Sequence, residues 1–215
     1  VLSREIDIVF GDVVHLRLPR YPRRQCHPDV PFQLFDNGGE RTFLAQSGLT
    51  GSNGLDARPT GRPVYSSAQK SYQLVDGQDN LVVDLKFTDN GVNYIKRFTF
   101  KRGLYDLVVS YVIDNQSAQP WSGNLFAQLK RDGSDDPSST TATGTATYLG
   151  AALWTAAEPY KKVSMKDIDK AQVKETVQGG WVAWLQHYFV TAWIPSKDTA
   201  NAVQTRKDSQ GNYII

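Results

Sequence analysis

The chain has 215 residues, with 24 Lys and Arg against 22 Asp and Glu and a formal charge of +2; that balance excludes the strongly basic face of a dedicated nucleic-acid binder. Hydrophobic residues make up 40% and aromatics 11%, enough for a sizeable core in one all-β domain and unlike a disordered chain. Cys26 is the only cysteine, which excludes an intrachain disulfide, and no apolar run reaches the roughly 18 residues of a membrane-spanning helix.

A strand-like run opens the chain, from Val1 to Phe10. The stretch "RLPRYPRR" follows, with Arg17, Arg20, Arg23 and Arg24, and reads as a solvated loop; its functional alternative is contact with anionic lipid head groups. Cys26 and His27 are adjacent with Asp29 nearby, but neighbouring ligands rarely reach one metal, so a proline-bounded surface loop is expected and no metal site. Residues 48–63, rich in Gly and Pro, read as a long loop.

The centre is the clearest part. In "LVVDLKF", Leu81, Val83, Leu85 and Phe87 point one way, and "TDNG" supplies the Asn-Gly pair of a tight type I′ turn. The return strand puts Tyr94, Phe98 and Phe100 on one face, and the next puts Tyr105, Leu107, Val109 and Tyr111 at alternate positions. An antiparallel three-stranded meander is predicted. Residues 132–147 are polar and of low complexity, the composition of a mobile stretch, and 164–178 read either as a short helix or as a polar strand pair. The run "WVAWLQHYFVTAWIP" at 181–195 satisfies both a helical and a strand template. Its flanking glycines and Pro195, with its aromatic and β-branched content, favour two short strands with a bend near Gln186 and His187.

Chemistry is scarce along this pattern. There is no nucleophile elbow and no phosphate-binding loop. Of His15, His27 and His187, only His187 is expected to be partly buried, with Glu40, Glu158 and Glu175 as candidate carboxylate partners. Trp121, Trp154, Trp181, Trp184 and Trp193 suit a core, a sugar-stacking cleft or a partner patch, and Trp154 is the best candidate for exposure. Tyr148, Trp154 and Tyr160 are taken as candidate partner-binding residues, and Trp184, His187 and Tyr188 as lining a candidate cleft. No catalytic residue and no cofactor is assigned.

At this point the residues resemble a known family. "GGWVAWLQHYFVTAWIP" (179–195), "PFQLF" (31–35), "AQSGLTG" (45–51), "FAQLKR" (126–131) and "GAALWT" (150–155) are similar, in order and spacing, to the periplasmic domain of YidC membrane-protein insertases of Gram-negative bacteria. The similarity runs from about Gly11 onward. It implies an antiparallel β-supersandwich like that of galactose mutarotases, with few short helices, forming a single domain over 1–215 that lacks its C-terminal strands and the linker helices to the second membrane helix. It implies a place on the periplasmic side of the inner membrane, Sec translocon accessory subunits as partners, and nascent inner-membrane proteins reached through the parent, whose absent helices supply the membrane contact. A non-catalytic scaffold is therefore expected, with a carbohydrate-binding or periplasmic chaperone module as the alternative; fold alone does not imply sugar chemistry.

Overall fold

The computed structural model describes residues 3–7, 9–24, 27–39, 41–136 and 148–215. Two compact units emerge, each from two stretches of chain: Val1–Leu34 with Gln46–Phe126, and Phe35–Ala45 with Ala127–Ile215. Strands β4 (Phe43–Thr50) and β9 (Asn124–Arg131) contribute residues to both.

The first unit is built on the predicted meander. β6 (Asn80–Asp89), β7 (Val92–Lys101) and β8 (Leu107–Asn115) pair antiparallel in succession, with the short β5 (Ser66–Ser67) on β6. Asn90 and Gly91 close the first hairpin at φ 48° and 76°, the positive pair that a type I′ turn demands. Alternation then decides the faces: Val83, Leu85, Tyr94 and Phe98 are buried. Cross-strand partners share a face, so Phe87, Tyr94 and Ile113 form one row, and Leu85, Lys96 and Tyr111 the next. Tyr105 departs from expectation. It lies before β8 and is 46% exposed.

β1 (Ser3–Asp7) pairs with β2 (Asp12–Arg24), with an irregularity between Glu5 and Ile6, and β3 (His27–Phe35) lies on β2. The arginine-rich stretch is thus strand and not the expected loop. Leu16 and Leu18 are buried between exposed Arg17 and Pro19, a period-two pattern that the arginines obscured. The loop expected from residue 48 begins only after Thr50 and carries one turn of 3-10 helix at Leu55–Ala57. Leu49, Leu55, Val92 and Tyr94 form a core cluster with Phe87, Tyr111, Ile113 and Trp121 packed against it.

In the second unit, β10 (Gly150–Leu153), β11 (Lys161–Ser164), β13 (Val182–Leu185) and β14 (Val190–Trp193) form an antiparallel sheet in the order β11-β10-β13-β14. The ambiguous 181–195 run is therefore two strands, bent where Gln186 N–H donates to Phe189 O at 2.8 Å. Stretch 164–178 divides. Ser164 caps α1 (Met165–Lys170) in a capping box with Asp167, and β12 (Lys174–Gln178) follows, paired with β15 (Ala200–Gln204). β16 (Arg206–Lys207) and β17 (Tyr213–Ile214) complete the unit, β17 lying on the end of β9. Every strand pair with a defined register is antiparallel, so the all-β class read from the pattern holds.

Candidate functional site

The four-stranded sheet of the second unit has two unlike faces. Register places Ala151, Leu153, Val163, Val182, Trp184 and Thr191 on one of them. There Ala151, Leu153 and Trp184 are 0% exposed. The other face carries Gly150, Ala152, Lys162, Ala183, Leu185 and Val190. Its small residues are sealed as well, Ala152 at 0% and Ala183 at 1% exposure, so this face opens to solvent only towards its edges.

Tyr148 covers Gly150 and donates its hydroxyl to Ala151 O at 2.8 Å. Lys162 Nζ sits 4.9 Å from the Tyr148 ring centre and 5.5 Å from that of Tyr160, a cation–π arrangement that holds the two tyrosines beside one lysine. The Tyr160 ring is in turn 6.1 Å from Trp181. Trp154 N–H donates to Trp181 O at 3.0 Å, and its indole packs near Gly180. Beyond this cluster an apolar stripe follows the alternation along β14: Tyr188 is 71%, Val190 62% and Ile194 76% exposed, with Ala192 exposed between them. Large apolar groups left in water at successive alternate positions make this stripe a candidate binding surface.

Of the candidate partner-binding residues, the structure gathers Tyr148 and Tyr160 on Lys162. Trp154 is half-buried and not exposed as expected, because its indole fills the space beside Gly180. The candidate cleft residues do not converge. Trp184 is in the core, which corrects its placement in a cleft; Tyr188 is in solvent, and half-buried His187 meets Tyr188 edge to face with ring centres 4.0 Å apart. Trp184 belongs to β13, whereas His187 and Tyr188 lie in the reversal between β13 and β14, so alternation along one strand does not carry across them.

Under the sheet lies a polar patch that the sequence did not announce. Arg131 is 0% exposed, its guanidinium 5.5 Å from the Trp184 ring and 5.7 Å from Phe43. Nε donates to Asp132 O at 3.0 Å and Nη2 to Ser134 O. Burial, with Arg41 nearby, pushes the guanidinium down to about 10. Asp136, also buried, accepts from His187 N–H at 2.5 Å and Gln186 Nε2 at 3.5 Å. The carboxylate shown at His187 thus meets its backbone, while the candidate Glu175 pairs instead with Lys161 at 2.9 Å. Glu40 and Cys26 lie outside the described residues. His15 is half-buried too, with Gln33 Nε2 3.3 Å from its Nδ1, so His187 is not alone in that.

The first unit contains a second charged cluster missed in the sequence, wrapped by the "AQSGLTG" segment. Arg62 donates to Asp12 through Nη1 at 2.7 Å and Nη2 at 3.0 Å, and to Asp56 through Nε at 2.5 Å. Gln46 Nε2 adds a bond to Asp12 at 2.6 Å, and Leu49 N–H one to Asp56 at 2.8 Å. Lys96, 0% exposed, donates to Ser47 O at 2.7 Å, and burial pushes its ammonium down to about 8. Burial likewise pushes the Tyr65 and Tyr111 hydroxyls well above the ordinary phenol range. Closed to solvent at Asp12, Asp56 and Lys96, the cluster is built to hold segments together. One sign of it was legible: Lys96 falls on the inward parity of β7, between Tyr94 and Phe98.

Among the described residues no three His, Cys, Asp or Glu side chains gather as a metal site, and no helix is long and apolar enough to cross a membrane. The family model of the YidC periplasmic domain matches residues 1–215. The chain is 85% identical over its full length to a protein named membrane protein insertase YidC from Pseudomonas syringae pv. syringae, and 79% identical to proteins of that name from Pseudomonas putida (strain W619) and Pseudomonas fluorescens. It spans 38% of the length of each of these relatives. The chain belongs to the YidC periplasmic domain family.

Proposed function

We propose that this chain is a non-catalytic interaction and scaffold domain on the periplasmic face of the bacterial inner membrane, serving a multi-pass insertase that assists insertion and folding of inner-membrane proteins. The observation that carries this is the exposed apolar stripe of Tyr188, Val190 and Ile194 at and around the β14 edge of the β11-β10-β13-β14 sheet, with Tyr160 also in solvent at the Tyr148–Lys162 cluster. Its partner is an accessory subunit of the Sec translocon, or a nascent inner-membrane protein brought by the parent. Single aromatic anchors in such patches supply most of the binding energy. Photocrosslinkers at Tyr148, Tyr160, Tyr188 and Val190 of the intact protein should capture Sec accessory subunits. Capture of lipid alone at all four positions overturns the reading.

The apolar stripe of β14 also favours a second reading, a chaperone surface for unfolded chains. In that case the isolated domain suppresses aggregation of a denatured client, and Val190→Ser with Ile194→Ser abolishes the effect. A sugar-binding module is the weaker alternative. Calorimetry against a sugar panel, with polarimetry for anomer interconversion, should give neither binding nor turnover.

A further inference from the structure

The basic stretch of β2 is not absorbed by that function, and its structure gives it one. Pro19, Arg20, Tyr21, Pro22 and Arg23 are all exposed, five successive residues of a strand with both alternating sides in solvent. On β3, which pairs with β2, Asp29 is exposed and Val30 is 47% exposed. Among the described side chains, this end of the β2–β3 pair is therefore an arm with both faces largely in solvent. Beside the arm, the β7–β8 loop brings Leu104 and Tyr105, 43% and 46% exposed, and Tyr105 meets Tyr21 with ring centres 6.2 Å apart. Arg20 is close enough to act electrostatically on the Tyr105 hydroxyl.

Between residues 17 and 30 the chain carries four arginines and one carboxylate, Asp29. In the adjoining β7–β8 loop Arg102 offsets Asp106, and Lys101 at the end of β7 adds a further positive charge. Exposed arginines, two tyrosines with polar tips and an exposed leucine make the composition of a bilayer interface: cations for lipid phosphates, amphipathic rings for the headgroup layer, and an aliphatic group for its inner edge. An acidic protein partner would use the arginines and leave Leu104, Tyr21 and Tyr105 without purpose. We propose that the β2–β3 arm, with Leu104 and Tyr105, is a contact surface for an anionic lipid bilayer. The proposal rests on the reading that the domain works beside a membrane. It involves the first unit alone, so crosslinking at the second unit's sheet tests that reading separately.

The test is cosedimentation of the 215-residue chain with vesicles of phosphatidylglycerol and phosphatidylcholine against phosphatidylcholine alone, at low and high salt. Each arginine at an anionic surface contributes a factor of about five to partition. Arg20→Glu with Arg23→Glu should therefore lower binding to anionic vesicles by at least about 25-fold, and Arg20→Lys with Arg23→Lys should preserve it. Both side chains are exposed, so the thermal melt of each double variant should match that of the parent chain. Leu104→Ser with Tyr105→Ser should remove the part of the binding that survives high salt. Equal partition onto neutral and anionic vesicles, or unchanged binding by the double glutamate variant, overturns the proposal.

Discussion

Lys96 donates to the carbonyl of Ser47 at 2.7 Å from a position with no solvent exposure. Its charge is balanced at a distance by Asp12 and Asp56, which are themselves gripped by Arg62. The amine is thus a buried cation whose hydration was lost and only partly replaced. Its ionisation falls to about 8 from the ordinary 10.5, chiefly through burial.

That difference sets a pH dependence. Below about 8 the lysine is charged in folded and unfolded chains alike, and the folded state bears the full cost of burying it. Between about 8 and 10.5 the folded chain releases the proton first, the unfolded chain holds more protons, and stability rises with pH. Above pH 10 the buried Tyr65 and Tyr111 act oppositely, since the unfolded chain ionises its tyrosines first. The unfolding free energy from urea titrations should therefore rise from pH 7.5 to 9.5, by about 2 kcal/mol. Lys96→Met should remove the rise and be the more stable chain at pH 7.

Arg62→Met tests the cluster itself. Asp12 and Asp56 would be left buried and unpaired, a change that typically costs about 3–5 kcal/mol. Urea denaturation should show a loss of that size. Gly48→Ala should be comparably damaging, because a methyl there meets both the Asp56 carboxylate and the Phe126 ring.

His187→Ala should change stability little, since the Asp136 carboxylate binds the backbone N–H of residue 187 and keeps that bond. Asp136→Ala removes the acceptor for that N–H and for Gln186, and should cost about 1–3 kcal/mol. Thermal melts of the two variants separate the roles. In the intact insertase, substrate insertion should survive His187→Ala unchanged; a specific loss in a stably folded variant would show that the ring takes part in chemistry.

Tyr160→Ala, Val190→Ser and Ile194→Ser alter exposed groups, so each should shift stability by no more than about 0.5 kcal/mol. Crosslinked complexes formed through the β11-β10-β13-β14 sheet should nevertheless fall several-fold. Thr88→Ala, a polar change outside that sheet, should leave them unaltered.

Local pattern was enough for the elements whose two faces differ. The Asn90–Gly91 turn and the 80–115 meander follow from period-two alternation and from residues that accept positive φ, and the split of 181–195 into two strands from its flanking glycines, Pro195 and aromatic and β-branched content. Where one pattern suited two structures, at 164–178, the chain used both in turn, a capped helix and then a strand. The resemblance of five short motifs to the YidC periplasmic domain was likewise legible and agrees with the family match.

Tertiary structure alone decided which side of each strand faces solvent. Trp184 and Tyr188 are four residues apart, yet one is sealed and the other 71% exposed, because Trp184 is held between β10 and β14 while Tyr188 sits in the reversal that joins β13 to β14. The same holds for Lys96, whose charge argues for the surface while its parity places it among Tyr94, Phe98 and Tyr111. Partners for such groups come from distant segments: Arg62 joins Asp12 across 50 positions, and Lys96 reaches Ser47 across 49. Periodicity records a residue's own strand, whereas burial energy depends on what the neighbouring strands bring to it.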